Sequence, residues 1–237
     1  MYGKGFCKIF NEFGWNSLPE IFGKQLLEWI RKNEISVKSS LDLACGTGVL
    51  CEVLYENGIQ AAGMDFSEAM IAIAREQNPQ IEYEVADMIQ YRPQKRFDLV
   101  TSTGDSLNHI MDLKDVEQIF RNVYGYLNPG GYFIFDLLKE NEIVPLEPIE
   151  VELEDQSQAE FQITQNEQGV FHLKTRVFKD GEIQFEETIA EIVHDRQMIL
   201  ELLKRSGFES VQCTDQLLED SENHGTAWLM IARKGAV

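Results

Sequence analysis

The chain has 237 residues, of which 40 are acidic and 21 basic, so its formal net charge is −19. Affinity for nucleic acid and for anionic membrane surface comes mainly from Lys and Arg, so this balance disfavours both as partners. No segment has the pattern of a signal peptide or a membrane span, and a cytoplasmic protein is expected. The four cysteines lack the spacing of a zinc or redox site, so no metal is expected.

A helix is predicted near the start of the chain, after an aromatic first segment. Ser17 can accept hydrogen bonds from the free amides at its start, and Pro19 stands in the first turn, where a missing N–H costs nothing. Apolar residues then recur at helical spacing as far as Ile30.

From Ser40 onward, short apolar segments alternate with helical patterns. One helix is capped by Ser67, another begins at Asp112, and the run Asn128–Gly131 breaks the latter. The strands are predicted at 41–44, 59–64, 81–86, 97–101 and 132–137. This alternation predicts an α/β fold: a doubly wound, Rossmann-like, mostly parallel sheet of seven strands with helices on both faces. Such sheets bind ligands at the carboxyl ends of their strands.

The pattern changes after Glu140. Nine carboxylates and no Lys or Arg fall between Glu140 and Leu173, and apolar and polar residues alternate over 149–154, 159–165, 170–178 and 182–193. These segments predict a small antiparallel β insert with one wet face. A helix from Asp195 to Gly207 and an edge hairpin, 208–214 and 227–233, then complete the main sheet. We therefore expect one domain over 1–140 and 195–237, with an insert over 141–194.

The most informative segment is LDLACGTG, Leu41 to Gly48, in which a strand enters a glycine-rich turn that opens a helix. Two glycines within three residues allow a ligand to approach the backbone closely. The amides of Cys45, Gly46 and Thr47 are expected to face a negative group there. The turn alone is a weak motif, and Cys51 occupies the third glycine position of a dinucleotide fingerprint.

Acidic residues follow the next two strands. Asp65 stands directly after the second strand, where nucleoside-binding sheets hold two ribose hydroxyls. Asp87 and Met88 follow the third, where a carboxylate could accept from an adenine amino group and a methionine pack on the ring; a solvated loop acid is the alternative. The fourth strand leads into a polar loop that contains Gly104, Asp105, Asn108 and His109, in which plain turn formers are the alternative to functional groups.

In their order along the chain, these segments resemble the motifs of the class I S-adenosylmethionine-dependent methyltransferases. LDLACGTG is similar to their first motif, GMDFS and VADM to their ribose- and adenine-binding acids, and FDLVTSTGDSLNHI and LNPGGYFIFD to their fourth and fifth motifs. The insert is similar to that of the small-molecule branch that includes bacterial sugar N-methyltransferases, where it forms a lid over the acceptor pocket. The resemblance implies S-adenosylmethionine as cofactor and S-adenosylhomocysteine as product.

The resemblance also implies a set of cofactor-binding residues, drawn from the aromatic first segment and from the loops that follow the first four strands. This set comprises Phe10, Trp15, Ala44, Cys45, Gly46, Thr47, Asp65, Phe66, Met70, Asp87, Met88, Thr103, Gly104 and Asn108.

A strong general base is optional in methyl transfer, so the catalytic candidates are weak ones. They are His109 and Asp105 after the fourth strand and His194 at the return from the insert; His172 and His224 are less well placed. The carboxylates of the insert favour a wet sheet face, with a cationic acceptor or a basic partner as the alternative.

The leading hypothesis is therefore a methyltransferase that acts on a small-molecule acceptor with a nitrogen or oxygen nucleophile. Three alternatives stay open: a methyltransferase acting on protein or RNA, a nicotinamide-dependent oxidoreductase, and a nucleoside-binding module without turnover. The sequence leaves both a monomer and a homodimer possible.

Overall fold

The computed structural model describes residues 17–140, 143–153, 155–218 and 227–236. The first part of this range alternates helices and strands along the chain, as the sequence predicts. Its elements are α1 (Ser17–Lys32), β1 (Ser39–Leu43), α2 (Val49–Glu56), β2 (Gln60–Asp65), α3 (Glu68–Gln77), β3 (Glu82–Val85), β4 (Phe97–Ser102), a 3₁₀ helix (Ser106–His109), α4 (Leu113–Tyr126) and β5 (Leu127–Leu138).

Four consecutive strands follow: β6 (Leu146–Glu152), β7 (Gln158–Gln165), β8 (Val170–Lys179) and β9 (Glu182–Ile192). The described chain then continues through α5 (Arg196–Arg205), β10 (Ser210–Thr214) and β11 (Ala227–Arg233). In the part of the chain covered by these ranges, no helix has both the length and the apolar character that crossing a bilayer requires.

The strands form two separate sheets. The larger has seven strands in the order β3-β2-β1-β4-β5-β11-β10, in which β1 to β5 pair in parallel and β11 runs antiparallel to both β5 and β10. The smaller is an antiparallel meander, β6-β7-β8-β9. The predicted fold class is confirmed: a mostly parallel seven-stranded sheet, an edge hairpin and a small antiparallel insert.

The central strands bury both of their faces because successive side chains point to opposite sides of a strand. Phe133 and Phe135 of β5 pack with α4 on one face, whereas Ile134 between them packs with α1 and α2 on the other. Phe133 and Phe135 stack with ring centroids 4.6 Å apart. Because β1, β2, β4 and β5 also run in parallel, the residues that follow them meet at one edge of this well-packed sheet.

Polar caps fix the starts of three helices. The Ser67 hydroxyl accepts a hydrogen bond from the amide of Met70, and the carboxylates of Asp112 and Asp195 accept from amides in the first turns of α4 and α5. Each cap contributes about 1 kcal/mol. All three caps lie where the sequence predicts the helices to begin.

Helix α4 ends at Tyr126, directly before strand β5, so the run Asn128–Gly131 lies within the strand and not between the two elements. Strand β5 begins at Leu127, and its pairing with β4 is irregular between Phe97 and Leu99. Gly130 has a φ of +79°, and the side-chain Nδ2 of Asn128 donates to the Asp98 carboxylate at 2.7 Å. The predicted strand start at residue 132 was therefore too late, because this run is accommodated as an irregular start of the strand.

In the smaller sheet, β6 is exposed along its whole length and carries three of the carboxylates. Glu160 of β7 is different, because it pairs at 3.0 Å with Arg176 of the next strand. Arg176 lies just beyond the cation-free stretch in the sequence, but strand pairing returns it to the acids. The apolar side chains Leu153, Ala159 and Phe161 pack together in this sheet.

Candidate functional site

The candidate site is the edge of the larger sheet at which β1, β2, β4 and β5 end. Parallel pairing brings the turn after β1, Asp65 at the end of β2 and the loop after β4 to this edge. Open α/β sheets bind their ligands at such an edge. We call these strand ends the rim.

The turn after β1 has an unusual backbone. Ala44, Gly46 and Gly48 all have positive φ values, +57°, +55° and +84°. A Cβ atom on Gly48 would collide with the Tyr83 side chain, so only glycine fits there, whereas the space beside Gly46 is open. Ala44 occupies a conformation that costs an ordinary residue about 1 kcal/mol or more, and such strain is concentrated at functional sites.

Two of the amides in this turn do not face an open ligand site. The amide of Cys45 donates to the carbonyl of Met64 at 3.0 Å, and that of Gly46 donates to Oδ2 of Asp65 at 2.9 Å. Both amides are therefore engaged within the protein, and the expectation that they receive a negative ligand group stays a prediction. They tie the turn to β2 instead, which makes the turn and Asp65 one rigid unit.

Asp65 is held in position by backbone amides on both of its oxygens. Besides the Gly46 contact, Oδ1 accepts from the amide of Ser67 at 2.8 Å. Burial raises the pKa of Asp65, and these amide bonds oppose that effect. Because each carboxylate oxygen has a second lone pair, Asp65 can still accept hydrogen bonds from a ribose.

The neighbours of Asp65 differ in exposure. The Phe66 side chain is 53% exposed at the rim, whereas the Met70 side chain is buried in the protein. Phe66 can therefore offer a ring to a ligand. Met70 has almost no surface left for one, so its predicted contact with a cofactor finds no support in this geometry.

Asp87 and Met88 are both half-buried after β3. Oδ1 of Asp87 accepts from the amide of Ile89 at 2.9 Å, so the carboxylate shapes its own turn, and Met88 packs against the main core. One oxygen of Asp87 therefore has a local structural role, and its adenine contact stays a prediction.

Two acids at the rim were missed by the sequence reasoning. Asp42 lies buried in β1, where it accepts a hydrogen bond from the Thr101 hydroxyl at 2.6 Å, and burial raises its pKa to about 7. Asp136 accepts from the amides of Gly104 and Asp105, both at 2.9 Å, and burial raises its pKa to about 6. An aspartate within or directly after an apolar strand, as in LDL and YFIFD, is the signal that could have identified both.

The loop after β4 is joined to strand β9 by side-chain hydrogen bonds. Asn108 has no exposed surface: its Nδ2 donates to the carbonyl of Ile192 at 2.7 Å, and its Oδ1 accepts from the amide of Leu138 at 3.1 Å. The Asn108 side chain has no accessible surface for a ligand, so this geometry gives its predicted cofactor contact no support, and the contact stays a prediction. Its role is to hold the loop against β5 and β9.

His194 has a similar role. It is buried, and its Nε2 lies 3.2 Å from the carbonyl of Leu107, to which it donates. Burial lowers the pKa of His194. Since this nitrogen is engaged by the backbone, the geometry gives little support to His194 as a general base.

Asp105 and His109 lie together in the same loop, and Glu191 of β9 joins them. One oxygen or nitrogen from each of the three lies within 4.8 Å of the other two, and Nδ1 of His109 lies 3.1 Å from the carbonyl of Ala190. Burial and the neighbouring carboxylates Glu191 and Asp136 raise the pKa of Asp105 well above its usual range. The sequence reasoning missed Glu191 because it belongs to the insert, far along the chain.

The remaining predicted residues differ in exposure. Thr47 and Cys45 are buried in the turn after β1, whereas Thr103 and Gly104 retain exposed surface at the rim. His172 is half-buried in β8. Phe10, Trp15 and His224 lie outside the described residues.

Comparison with known proteins shows which proteins this chain resembles. The model of a methyltransferase domain matches residues 41–131, which contain the turn after β1, Asp65 and the loop after β4. A protein from Geobacillus sp. that is named as a methyltransferase is 33% identical over 134 residues, 55% of this chain, and the match spans about half, 53%, of that relative. YqeM of Bacillus subtilis, also named as a methyltransferase, is 28% identical over 220 residues, 88% of this chain and 87% of YqeM.

Solved structures show the same fold over nearly the whole chain. An S-adenosylmethionine-dependent methyltransferase from Clostridium acetobutylicum has a TM-score of 0.79 at 23% identity and 90% coverage of both chains. CalS10 from Micromonospora echinaspora, an amino pentose methyltransferase, has a TM-score of 0.76 at 17% identity, covering 99% of this chain and 98% of CalS10. The expected resemblance is confirmed: a methyltransferase-domain model matches residues 41–131, and the chain has the fold of solved S-adenosylmethionine-dependent methyltransferases.

Proposed function

We propose that the protein transfers the methyl group of S-adenosylmethionine to a small-molecule acceptor with a nitrogen or oxygen nucleophile. The observation that carries this proposal is the convergence of the glycine-rich turn, Asp65 and the loop after β4 at one rim, within the matched domain 41–131. The likeness of CalS10, which is named for an amino sugar acceptor, supports a small acceptor. The net charge of −19 disfavours RNA.

The residues at the rim fit an adenosyl cofactor. Asp65 can accept from the ribose hydroxyls, the exposed ring of Phe66 can pack on the adenine, and Asp87 lies at the next strand end. The acids of the rim also suit a cationic sulfonium. S-adenosylmethionine supplies an activated methyl group, and the protein's part is to align the acceptor and exclude water, which can contribute on the order of 7–11 kcal/mol.

In this proposal the two parts of the chain have different tasks. Residues 1–140 and 195–237 bind the cofactor, and the insert 141–194 covers the acceptor. The hydrogen bonds from the loop after β4 to Ile192 and Ala190 support such a closure, because they place β9 against the rim. Among the catalytic candidates, Asp105 and His109 are retained, since both lie where β9 meets the rim.

The cofactor part is tested by calorimetry with S-adenosylhomocysteine. We expect the wild type to bind it and Asp65→Ala to bind at least ~100-fold more weakly, because the variant loses the ribose acceptor and the anchor of the turn. Glu76→Ala removes an exposed acid from the adjacent helix α3 and should bind as the wild type does. Failure of the wild type to bind, or a thermal shift with NAD instead, would reject the proposal.

The acceptor part is tested with isotopically labelled S-adenosylmethionine and a cell extract from which proteins and nucleic acids have been removed. Labelled small products found by mass spectrometry support the proposal. Label that appears only when macromolecules are added back shows a protein or RNA acceptor. Binding of the cofactor without any labelled product shows a nucleoside-binding module.

A further inference from the structure

The contact between the rim and the insert brings together three potential metal ligands from distant parts of the chain. Asp105 and His109 come from the loop after β4, and Glu191 comes from β9. Asn108 between them donates to the carbonyl of Ile192, which fixes the distance between the two segments. The sequence predicts no metal here because no short spacing links the three residues.

Glu191 is the unusual member of the group. The residue as a whole is only 8% exposed, and its side chain lies on the same face of the strand as Ile189, opposite its cross-strand neighbour Phe171. Within the described residues its carboxylate makes no hydrogen bond and no ion pair with Lys or Arg. An ionised carboxylate buried without such a partner costs several kcal/mol, so either a proton or a bound cation would stabilise this position.

Asp105 adds a second carboxylate to this group. Its backbone has a φ of +51°, and its side chain likewise has no hydrogen bond or Lys or Arg ion pair within the described residues. A single imidazolium at His109 cannot balance both carboxylates, and Asp136 adds a further acid beside Asp105. When ionised, these carboxylates carry more negative charge than one imidazolium could balance, and a divalent cation would compensate for it.

We propose that Asp105, His109 and Glu191 bind a divalent transition-metal ion that joins the loop after β4 to strand β9. Three ligand atoms about 2.1 Å from such an ion lie roughly 3.4–3.6 Å apart when equally spaced, so a group within 4.8 Å reaches this geometry with a contraction of about 1 Å. The carbonyl of Ala190 accepts from Nδ1 of His109 and orients the ring, as carbonyl groups do for metal-binding histidines.

The donor set indicates the kind of ion. Two carboxylates and one imidazole suit Zn²⁺ or Mn²⁺, with water completing the coordination, whereas Mg²⁺ and Ca²⁺ prefer oxygen ligands alone. Because Glu191 belongs to the insert and Asp105 to the rim, the ion would hold the two sheets together. The metal site does not depend on the proposed methyl transfer.

The test is calorimetric titration of the EDTA-treated full chain with Zn²⁺ and, separately, with Mn²⁺ and Mg²⁺. We expect one Zn²⁺ or Mn²⁺ per chain, with Mg²⁺ much weaker, and a rise in Tm on binding. Glu191→Gln keeps the shape of the side chain and should weaken binding ~10–100-fold. Glu182→Gln changes the same residue type at the exposed end of the same strand and should bind as the wild type does.

Two results would overturn the site: no binding by the wild type, or several weak ions whose binding Glu191→Gln leaves unchanged, which would indicate surface carboxylates. If circular dichroism shows that Glu191→Gln is not folded, Asp105→Asn is judged by the same criterion. S-adenosylhomocysteine binding in EDTA is measured in parallel, so a failed metal site is distinguished from a failed cofactor site.

Discussion

The two sheets of the molecule differ in how they bury their residues. In the seven-stranded sheet, strands such as β4 and β5 are covered by helices on both faces, and most of their apolar side chains are buried. In the four-stranded sheet, β6 is exposed along its length, and apolar side chains are buried only in part. The larger sheet therefore contributes most of the packing energy, and the smaller one is held through β9.

Under the proposed function, the larger sheet would provide stability and the smaller one would adjust to the acceptor. A sheet that is covered on both faces fixes the atoms at its rim, which suits a cofactor that is the same in every reaction cycle. A half-covered sheet attached through a few polar contacts can shift without loss of the main core. The comparison predicts that substitutions in the two sheets have very different effects.

The largest expected effect is the loss of a core side chain from β5. Phe133→Ala removes a ring that is fully buried between Phe120 and Phe135, and it should lower the free energy of unfolding by about 3–5 kcal/mol. Ile149→Ala in β6 removes a side chain that is nearly half exposed and should cost less than ~1 kcal/mol. Urea denaturation measures both, and equal losses would contradict the comparison.

A buried acid in the larger sheet should make stability depend on pH. Because burial raises the pKa of Asp42 to about 7, with Asp65 and Asp136 adding to the effect, the folded state holds a proton that the unfolded chain releases near its ordinary pKa of about 4. The stability from this proton is complete below pH ~4 and is lost as the pH rises through about 7.

Asp42→Asn mimics the protonated form, so its stability relative to the wild type should rise between pH 4 and 8, by roughly 2–4 kcal/mol. Thermal unfolding across this range measures the difference. Asp98→Asn is the contrasting variant, because hydrogen bonds lower the pKa of Asp98. Replacing this carboxylate should therefore reduce the free energy of unfolding most at neutral pH. A constant difference between Asp42→Asn and the wild type would show that Asp42 is ionised throughout.

The sequence predicted the larger sheet well and the contact between the sheets poorly. Caps such as Ser67 and apolar periodicity act within a few residues, so the elements and their order could be read from neighbouring positions. Asn108 was predicted to touch the cofactor, but its role depends on Ile192, which only the fold brings near. Glu191 was missed for the same reason. Local pattern determines the elements, whereas contacts between distant segments determine the site.

Removal of the Asn108 side chain tests that contact between the sheets. Asn108→Ala leaves the half-buried carbonyl of Ile192 and amide of Leu138 without the Asn108 side chain as partner and should cost about 1–3 kcal/mol. Asn33→Ala loses only an exposed bond to the carbonyl of Trp29 and should cost less than ~0.5 kcal/mol. Hydrogen exchange should show faster opening of β9 in Asn108→Ala, and unchanged protection there would argue that other contacts hold the insert.

The smallest expected effect concerns an ion pair within the insert. Glu160→Gln breaks the 3.0 Å contact with Arg176, and because Glu160 is largely covered the loss should reach about 0.5–1 kcal/mol at low salt. Glu82→Gln on β3 of the larger sheet breaks a pair with Lys95 in which both partners are well exposed, so almost no change is expected. At about 1 M salt, where the Debye length is ~3 Å, the cost of Glu160→Gln should shrink toward that of Glu82→Gln. A cost that salt does not reduce would show that Glu160 acts through packing, and the half-covered sheet would then depend on close contacts as the larger sheet does.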